Sequence, residues 1–249
     1  MSAVPATTDF TIAVIAPSLL DTNGDAQNAD VLAARIRWSG QTARVAVVET
    51  AADMPQRVDA VVIGSGSDSA IPTVRTLLLD LANLLRTWAT EGVPILAVGL
   101  GWELLSWGIE HGDGTVSEGI GLLPGRVIAR EGRVTDDIVL SSRYGRLVGF
   151  ENHARDYVAA EGSPLGRIVH GSGNGKDSGQ EGVTMGDAIG THLHGPVLAL
   201  NPHLADHLLT AMYARAGQAY VRGEHAVIVD DYARAARNHV LRKLDLPLD

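Results

Sequence analysis

Short apolar runs recur through the first hundred residues, and helical patterns separate them. We predict strands at Thr11–Ala16, Val45–Val48, Ala60–Ile63 and Ile95–Val98, because each run has the length and composition of a buried strand. The clearest helical segment spans Pro72 to about Thr90, where leucines form a wide apolar face. Parallel strands joined by helices take right-handed crossovers, so this order predicts a doubly wound α/β sheet.

The second half of the chain has a different sequence pattern. From about residue 121 to 194 it is rich in glycine and carries short alternating runs, which indicate antiparallel strands added to the mostly parallel sheet. Asn201 and Pro202 are typical of a helix start, and a last helix is expected from about 225 to 243. Since no linker or repeat divides the sequence, we expect one domain over residues 1–249.

Composition excludes several classes of function. The formal net charge is −9, with 20 Lys and Arg against 29 Asp and Glu, and no basic cluster is present. Nucleic-acid binding by overall charge is therefore not expected. The chain has no cysteine, which rules out disulfides and thiol catalysis. Met1 to Phe10 lacks the pattern of a targeting signal, and no apolar stretch has transmembrane length, so we expect a cytoplasmic protein.

The stretch after Ile95–Val98 has the pattern of a nucleophile elbow. Gly99 and Gly101 allow a tight turn, and an amphipathic helical segment begins at Trp102. Such a turn exposes one side chain above the carboxyl edge of the sheet, with backbone N–H groups behind it. The apex here is Gly99, which has no side chain to react.

A second glycine loop, Gly64-Ser65-Gly66, follows the strand predicted at Ala60–Ile63. It does not satisfy the dinucleotide-binding spacing, because Ser69 stands where a third glycine is required. Two interpretations stay open. The loop either binds an anion or oxyanion, or it is simply a tight strand-to-helix turn.

Six stretches in this order resemble the glutamine amidotransferase (GatD-type) subunit of lipid II isoglutaminyl synthase, in the CobB/CobQ-like class I group. The strongest are Phe150-Glu-Asn-His153 and Leu193-His-Gly-Pro196, at the right order and separation. The others are Asn23–Asn28, Gly64–Asp68, Pro94–Leu105, and Gly171–Asn174 with Glu181-Gly182. The resemblance implies a class I amidotransferase (flavodoxin-like) fold, with glutamine as substrate and a MurT-like Mur-ligase-family subunit as partner in a heterodimer.

The resemblance also implies roles for individual residues. His194 matches the base that activates a thiol, and Arg133 looks like the arginine that holds glutamine. The Gly64 to Gly66 loop and the N–H of Leu100 look like oxyanion-hole donors. Pro196 stands where an acid would follow the histidine, which resembles members whose orienting acid comes from the partner subunit. No cofactor is implied.

The elbow departs from this family. Its members carry Cys-Gly-Gly, an aromatic residue and Gln, whereas this chain has Gly99-Leu100-Gly101-Trp102-Glu103. Loss of a nucleophile typically costs about 10⁶ in turnover. Ser106 lies one helical turn further on and is expected to point away from the apex. Thioester-forming glutaminase chemistry is therefore not expected.

Several other polar residues have two interpretations. Glu151, Asn152 and His153 form either the edge of a site or a polar strand end. Asp25 or Asn28 is placed to cap the helix that follows. Two pairs of histidines with shared faces suggest a metal site, but no acidic residue stands at a matching motif position, so no metal is expected. The residues of these two pairs are His192, His194, His203 and His207.

Three functions remain open from the sequence. The chain is a GatD-like subunit that lost glutaminase activity, or an active subunit whose cysteine was replaced artificially. Alternatively, it is a different hydrolase or binding protein that reuses the pocket through its histidines.

Overall fold

A computed structural model describes residues 8–160 and 162–249, so most of the segment Met1–Phe10 considered for targeting lies outside the described residues. The strands are β1 Asp9–Ile15, β2 Thr42–Val48, β3 Ala60–Ile63, β4 Ile95–Val98, β5 Gly108–Glu110, β6 Val116–Glu118, β7 Arg126–Ser142, β8 Gly145–Val158, β9 Gly166–His170, β10 Gln180–Glu181, β11 Val183–Met185 and β12 Ala188–Thr191. The helices are α1 Asn28–Trp38, α2 Ile71–Thr90, α3 Leu100–Leu105, α4 Val197–Leu200, α5 Pro202–Arg215 and α6 Glu224–Lys243.

The four predicted strands lie side by side in a six-stranded sheet, in the order β2-β1-β3-β4-β12-β11. Its strands are parallel except for β11, which runs antiparallel to β12. This is the flavodoxin-like strand order with one antiparallel edge. The doubly wound α/β fold predicted from the sequence is confirmed.

Alternate residues of the central strands enter two separate cores. Ala13 and Ile15 of β1 pack with α2 on one side of the sheet. Ile12 and Val14 pack on the other side with α1 and α5. Successive strand side chains point to opposite faces, so a continuous apolar run is required where helices cover both.

Two details of the predicted elements were wrong. β2 is not a buried strand but the edge of the sheet, where Val47 is 54% exposed. Helix α3 begins at Leu100, two residues before the predicted start at Trp102. The earlier start places the N–H groups of the first helical turn directly behind Gly99.

The antiparallel extension is larger than the short runs of the sequence predicted. β7 and β8 form one long hairpin of 17 and 14 residues, with a register shift between Ala129 and Val134. It belongs to a second sheet, in the order β10-β9-β7-β5-β6 with β8 on β7. An isolated antiparallel bridge between Phe150 and His194 joins this sheet to the segment after β12.

The C-terminal helix α6, expected at about 225–243, packs beside α1 and α4. Arg35 of α1 is buried and pairs with Asp206 of α5 at 2.8 Å and with Asp230 of α6 at 2.7 Å. A buried guanidinium held by two carboxylates fixes the three helices relative to one another. No helix in the described part of the chain is long and apolar enough to cross a membrane.

Candidate active site

The turn between β4 and α3 has the backbone of a nucleophile elbow. Gly99 has φ 51° and ψ −120°, a conformation that L side chains rarely adopt. Its N–H donates to the Thr191 carbonyl at 3.0 Å, and its carbonyl accepts the N–H of Glu103 at 2.9 Å. The turn is thus fixed on both sides by hydrogen bonds. The predicted apex at Gly99 has the geometry expected of it.

The space above Gly99 is filled by neighbouring side chains. A Cβ placed on Gly99 would lie 2.8 Å from the Cβ of Ser65 and 2.9 Å from Cε1 of His194, and closer still to Ser65 Oγ. Carbon atoms that are not bonded normally approach to about 3.5 Å. The elbow is therefore preserved in the backbone but closed to any side chain in this arrangement.

The loop Gly64–Gly66 brings Ser65 to this point. The Thr22 N–H donates to the Ser65 carbonyl at 2.9 Å, and the Gly101 N–H donates to the Gly64 carbonyl at 3.1 Å. A Cβ on Gly64 or Gly66 would collide with the backbone of the loop that follows β1. Both glycines are therefore needed for the two loops to approach each other closely. Of the two interpretations of this loop, the tight turn accounts for its glycines.

The hydroxyl of Ser65 accepts a hydrogen bond from the Leu100 N–H, which was predicted to be an oxyanion-hole donor. The Leu100 N–H at the start of α3 donates to Ser65 Oγ at 3.2 Å. Ser65 is 7% exposed and Leu100 is 3% exposed, so water does not readily replace this bond. The Leu100 N–H lies at the elbow, and a side chain of the same molecule already uses it.

His194 is oriented by an acid of this same chain. Its Nδ1 lies 2.7 Å from Asp25 Oδ2, and the Gly195 N–H donates to Asp25 Oδ1 at 2.8 Å. Asp25 is fully buried and His194 is 2% exposed. The expectation that the orienting acid comes from a partner subunit is wrong for this arrangement, because the carboxylate follows β1 at the same edge of the sheet.

Asp25 and Asn28 do not cap the helix as the sequence suggested. The Asp25 carboxylate is committed to His194 and Gly195, and Asn28 Oδ1 instead accepts the Leu198 N–H at 2.9 Å. Both side chains therefore join the start of α1 to the segment after β12. The capping expectation failed because long-range partners outcompete the local ones.

The free edge of the imidazole faces the elbow. The His194 N–H donates to the Phe150 carbonyl at 2.9 Å, which fixes the backbone against β8. An acidic partner on Nδ1 favours the proton on that nitrogen and leaves Nε2 as an acceptor. His194 Nε2 is buried and has no hydrogen-bond partner among the described residues. The imidazole meets the crowded space beside Gly99 through Cε1, the carbon between its two nitrogens.

Arg155 pairs with one buried and one exposed carboxylate next to this site. Arg155 donates to Glu103 at 2.8 Å and pairs with Asp68 at 2.5 Å. Burial raises the pKa of Glu103, while the charge of Arg155 opposes that rise. Asp68 follows Ser65 in the chain and Glu103 follows Gly99, so Arg155 joins the two loops that meet at the elbow.

Arg133 is not brought to the histidine. It is exposed, and its guanidinium donates to Asn152 Oδ1 at 2.8 Å on the neighbouring strand β8. No hydrogen bond or ion pair links it to His194 or to the elbow in the described structure. Its predicted role in holding glutamine stays a prediction.

Glu151 and His153 have buried positions beside the site. The Glu151 carboxylate is fully buried and accepts the N–H groups of Ser172 at 2.6 Å and Gly173 at 2.8 Å. Its other neighbour is His153 Nε2 at 3.2 Å. Burial lowers the pKa of His153, but hydrogen bonds to Glu151 and to the Arg155 carbonyl outweigh it and raise the pKa overall. Glu151 thereby organises the Gly171–Asn174 loop.

His192 lies in a buried stack rather than in a metal site. Its ring stacks on His153 with centroids 4.1 Å apart and contacts Trp102 at 4.5 Å. Burial and the neighbouring charge of His153 lower the pKa of His192 to about 4. No group of three His, Cys, Asp or Glu residues suited to a metal ion occurs among residues 8–160 and 162–249. The residues His192, His194, His203 and His207 do not form such a group.

Sequence reasoning missed the roles of three residues here. Asp25 lies in one of the six matching stretches, so its place in the motif was an available signal. Ser65 was predicted as a backbone donor, whereas its hydroxyl is the group that reaches the elbow. Arg155 gave no signal, because an arginine two residues after a motif is usually a solvated charge.

A flavodoxin-like sheet, a strained strand-to-helix elbow and a histidine–carboxylate pair at its carboxyl edge define a glutamine-amidotransferase-like α/β protein. The sequence comparison is more specific. Residues 11–202 match the CobB/CobQ-like glutamine amidotransferase domain, and the chain belongs to that family.

Two relatives are glutamine-hydrolysing GatD subunits of lipid II isoglutaminyl synthase. The one from Staphylococcus aureus (strain N315) is 33% identical over 192 residues, which cover 76% of this chain and 79% of the relative. The one from Streptococcus pneumoniae (strain ATCC BAA-255 / R6) is 27% identical over 213 residues, 83% of this chain and 82% of the relative.

Solved structures agree with the fold. A glutamine amidotransferase crystal structure has a TM-score of 0.56 at 18% identity and covers 81% of this chain and 98% of its own. PurLQS from Thermotoga maritima also gives a TM-score of 0.56, at 12% identity, over 84% of this chain and 100% of the matched chain. At such low identity these similarities concern the fold alone.

Proposed function

We propose that this chain is a GatD-like subunit of a lipid II isoglutaminyl synthase type complex that does not itself hydrolyse glutamine through a thiol. The resemblance assigns it to amidation of the peptidoglycan stem peptide in the cytoplasm, in a heterodimer with a MurT-like Mur-ligase-family subunit. The relatives named above are subunits of that synthase, which supports the assignment. With no glutaminase of its own, the complex would use free ammonia as its nitrogen source.

One observation carries the loss of thiol chemistry. Gly99 keeps the elbow backbone, yet the position of its missing side chain lies within 2.9 Å of both Ser65 and His194. The elbow also differs from the family at Leu100 and Glu103, and an artificial replacement of the cysteine alone does not account for these differences. The sequence around Gly99 therefore favours a naturally diverged site over an active subunit with a replaced cysteine.

The remaining machinery is consistent with descent from an amidotransferase. His194 holds the position of the base, Asp25 orients it, and the Leu100 N–H lies at the elbow. Glu103 stands where the family has Gln and is paired with Arg155. The Glu103 carboxylate and the side chains that fill the space above Gly99 both alter the place in which a glutamine side chain would react.

The test is an assay of the isolated chain and of its complex. The chain is purified alone and with the MurT-type ligase of the same genome, and glutamate release from glutamine is measured by mass spectrometry. We expect co-purification, no glutamate above a control without protein, and amidation of lipid II with ammonium but not with glutamine. Glutamate release by the purified complex contradicts the loss of activity, and a failure to co-purify contradicts the assignment to this assembly.

A further inference from the structure

The hydroxyl of Ser65 takes the place in which the family carries its reactive thiol. Ser65 Oγ is the nearest atom to the point where a Cβ of Gly99 would lie, and it accepts the N–H of Leu100 at 3.2 Å. In a nucleophile elbow the N–H of the residue after the apex is an oxyanion donor. A nucleophilic oxygen is therefore present beside the elbow, although it comes from the neighbouring loop.

The base for such an oxygen is also present. His194 Nδ1 is bound to the buried carboxylate of Asp25, and Nε2 is buried without a partner among the described residues. His194 Cε1 lies within 2.9 Å of the same point above Gly99. A hydroxyl that accepts from Leu100 still has its own proton to donate, and Nε2 of the imidazole beside it is an unoccupied acceptor. Hydrogen bonds of this kind are often long before a substrate binds.

We propose that Ser65, His194 and Asp25 form a serine-type catalytic triad that hydrolyses small carboxylic esters. A triad is recognised by the geometry and roles of its members and not by their order in the sequence. Asp25, Ser65 and His194 come from the loops after β1, β3 and β12, which end at one edge of the sheet. This inference is independent of the proposed assembly, because it concerns side chains of this chain alone.

The reaction balances with water as the second substrate. Ser65 Oγ bonds to the ester carbonyl carbon while its proton passes to His194 Nε2, and the carbonyl oxygen becomes an oxyanion facing the Leu100 N–H. The carbon–oxygen bond to the alcohol then breaks, and the alcohol leaves with that proton. Water attacks the acyl group in the same way, giving its proton to Nε2, which returns a proton to Ser65 as the carboxylic acid departs.

The burial of the hydroxyl limits the substrate class. Ser65 is 7% exposed, so a large acyl group does not fit without rearrangement. An ester is favoured over an amide because an alcohol leaves more readily than an amine. We therefore restrict the proposal to esters of small carboxylic acids.

The primary experiment is covalent labelling of the full chain. The protein is incubated with a small alkyl fluorophosphonate at pH 8, and the modified peptide is identified by mass spectrometry. The expected result is one adduct, on Ser65, that is absent in Ser65→Ala and is reduced at least about 100-fold in rate in His194→Ala. Ser67→Ala is the matched control, since Ser67 Oγ lies in the same loop and bonds Ser69 Oγ. Absence of an adduct on Ser65 overturns the proposal.

A second measurement remains informative if His194→Ala does not fold. Because the chain has no cysteine, Ser65→Cys and Ser67→Cys each carry a single thiol. A thiol paired with the His194 imidazole forms a thiolate at lower pH. At pH 6.5 we expect iodoacetamide to alkylate Ser65→Cys at least about tenfold faster than Ser67→Cys, despite the greater exposure of residue 67. An equal or slower rate at position 65 shows that His194 does not activate this position.

Discussion

Asp25 and His194 are 169 residues apart in sequence, yet their side chains meet at 2.7 Å in a fully buried contact. The acid belongs to the turn between β1 and α1, and the histidine follows β12. Both strands end at the carboxyl edge of the sheet, where loops from distant parts of an open α/β chain converge. The imidazole of His194 is therefore oriented by a contact within this chain.

Asp25→Asn tests that internal orientation. The amide cannot accept both hydrogen bonds that the carboxylate receives, so we expect unfolding to become easier by about 2–3 kcal/mol. In proton NMR of the isolated chain, the downfield Nδ1–H signal of His194 should also be lost. Asp21→Asn is the control, because Asp21 receives the Ala26 N–H in the same loop and does not contact the histidine. A retained Nδ1–H signal in Asp25→Asn would mean that another group orients the ring.

Gly99→Cys is expected to destabilise the chain and to leave it inactive on glutamine. The added Cβ overlaps Ser65 and His194, and overpacking of this kind costs about 1–3 kcal/mol in addition to backbone strain of similar size. Combining it with Ser65→Gly removes the nearest obstruction. We expect the double variant to recover about 1–2 kcal/mol relative to Gly99→Cys in urea unfolding.

The control for backbone strain is Gly132→Ala. Gly132 also has a positive φ, of 79°, but a Cβ there meets no atom within 4 Å. Its destabilisation reports strain without crowding and should be smaller than that of Gly99→Cys. If Ser65→Gly gives the same stability change with and without Gly99→Cys, the two residues do not compete for one space.

Glu151→Gln is expected to loosen the Gly171–Asn174 loop. The carboxylate accepts the N–H groups of Ser172 and Gly173 in a fully buried position, and a neutral amide weakens both bonds. We expect a loss of about 2 kcal/mol in the free energy of unfolding and faster hydrogen exchange at those two amides. The exposed Glu131→Gln should change neither quantity. Unchanged exchange in Glu151→Gln would show that the loop is held by other contacts.

The central sheet could be predicted because each of its strands is specified by the residues of its own segment. Runs such as Ile95–Val98 are apolar on both faces, and glycines mark the turns that follow them. The long hairpin was less predictable, since β7 and β8 continue beyond the core where polar residues hide the strand pattern. Local signals were therefore enough for the fold but not for the length of its extension.

The candidate site depends on contacts that local patterns do not encode. The apex at Gly99 followed from the turn itself, whereas the contact of Asp25 with His194 requires the strand order of the whole sheet. Whether Ser65 reaches the elbow depends on differences below an ångström, which residue types alone do not specify. Motifs thus located the site, and packing determined which groups occupy it.

His192→Phe tests the buried stack through its pH dependence. His192 has its pKa lowered from 6.5 to about 4, so its protonation favours the unfolded chain. The stability linked to this group is complete above pH 6.5 and is lost as pH falls from about 6.5 towards 4. A phenylalanine keeps the stacking on His153 and Trp102 but binds no proton. Between pH 6.5 and 4 the variant should therefore lose less stability than the wild type, by up to about 3 kcal/mol.

Urea unfolding across that pH range measures the difference, and His239→Phe, on an exposed residue of α6, should keep the wild-type slope. Identical slopes for His192→Phe and the wild type would mean that His192 keeps an ordinary pKa in the folded chain.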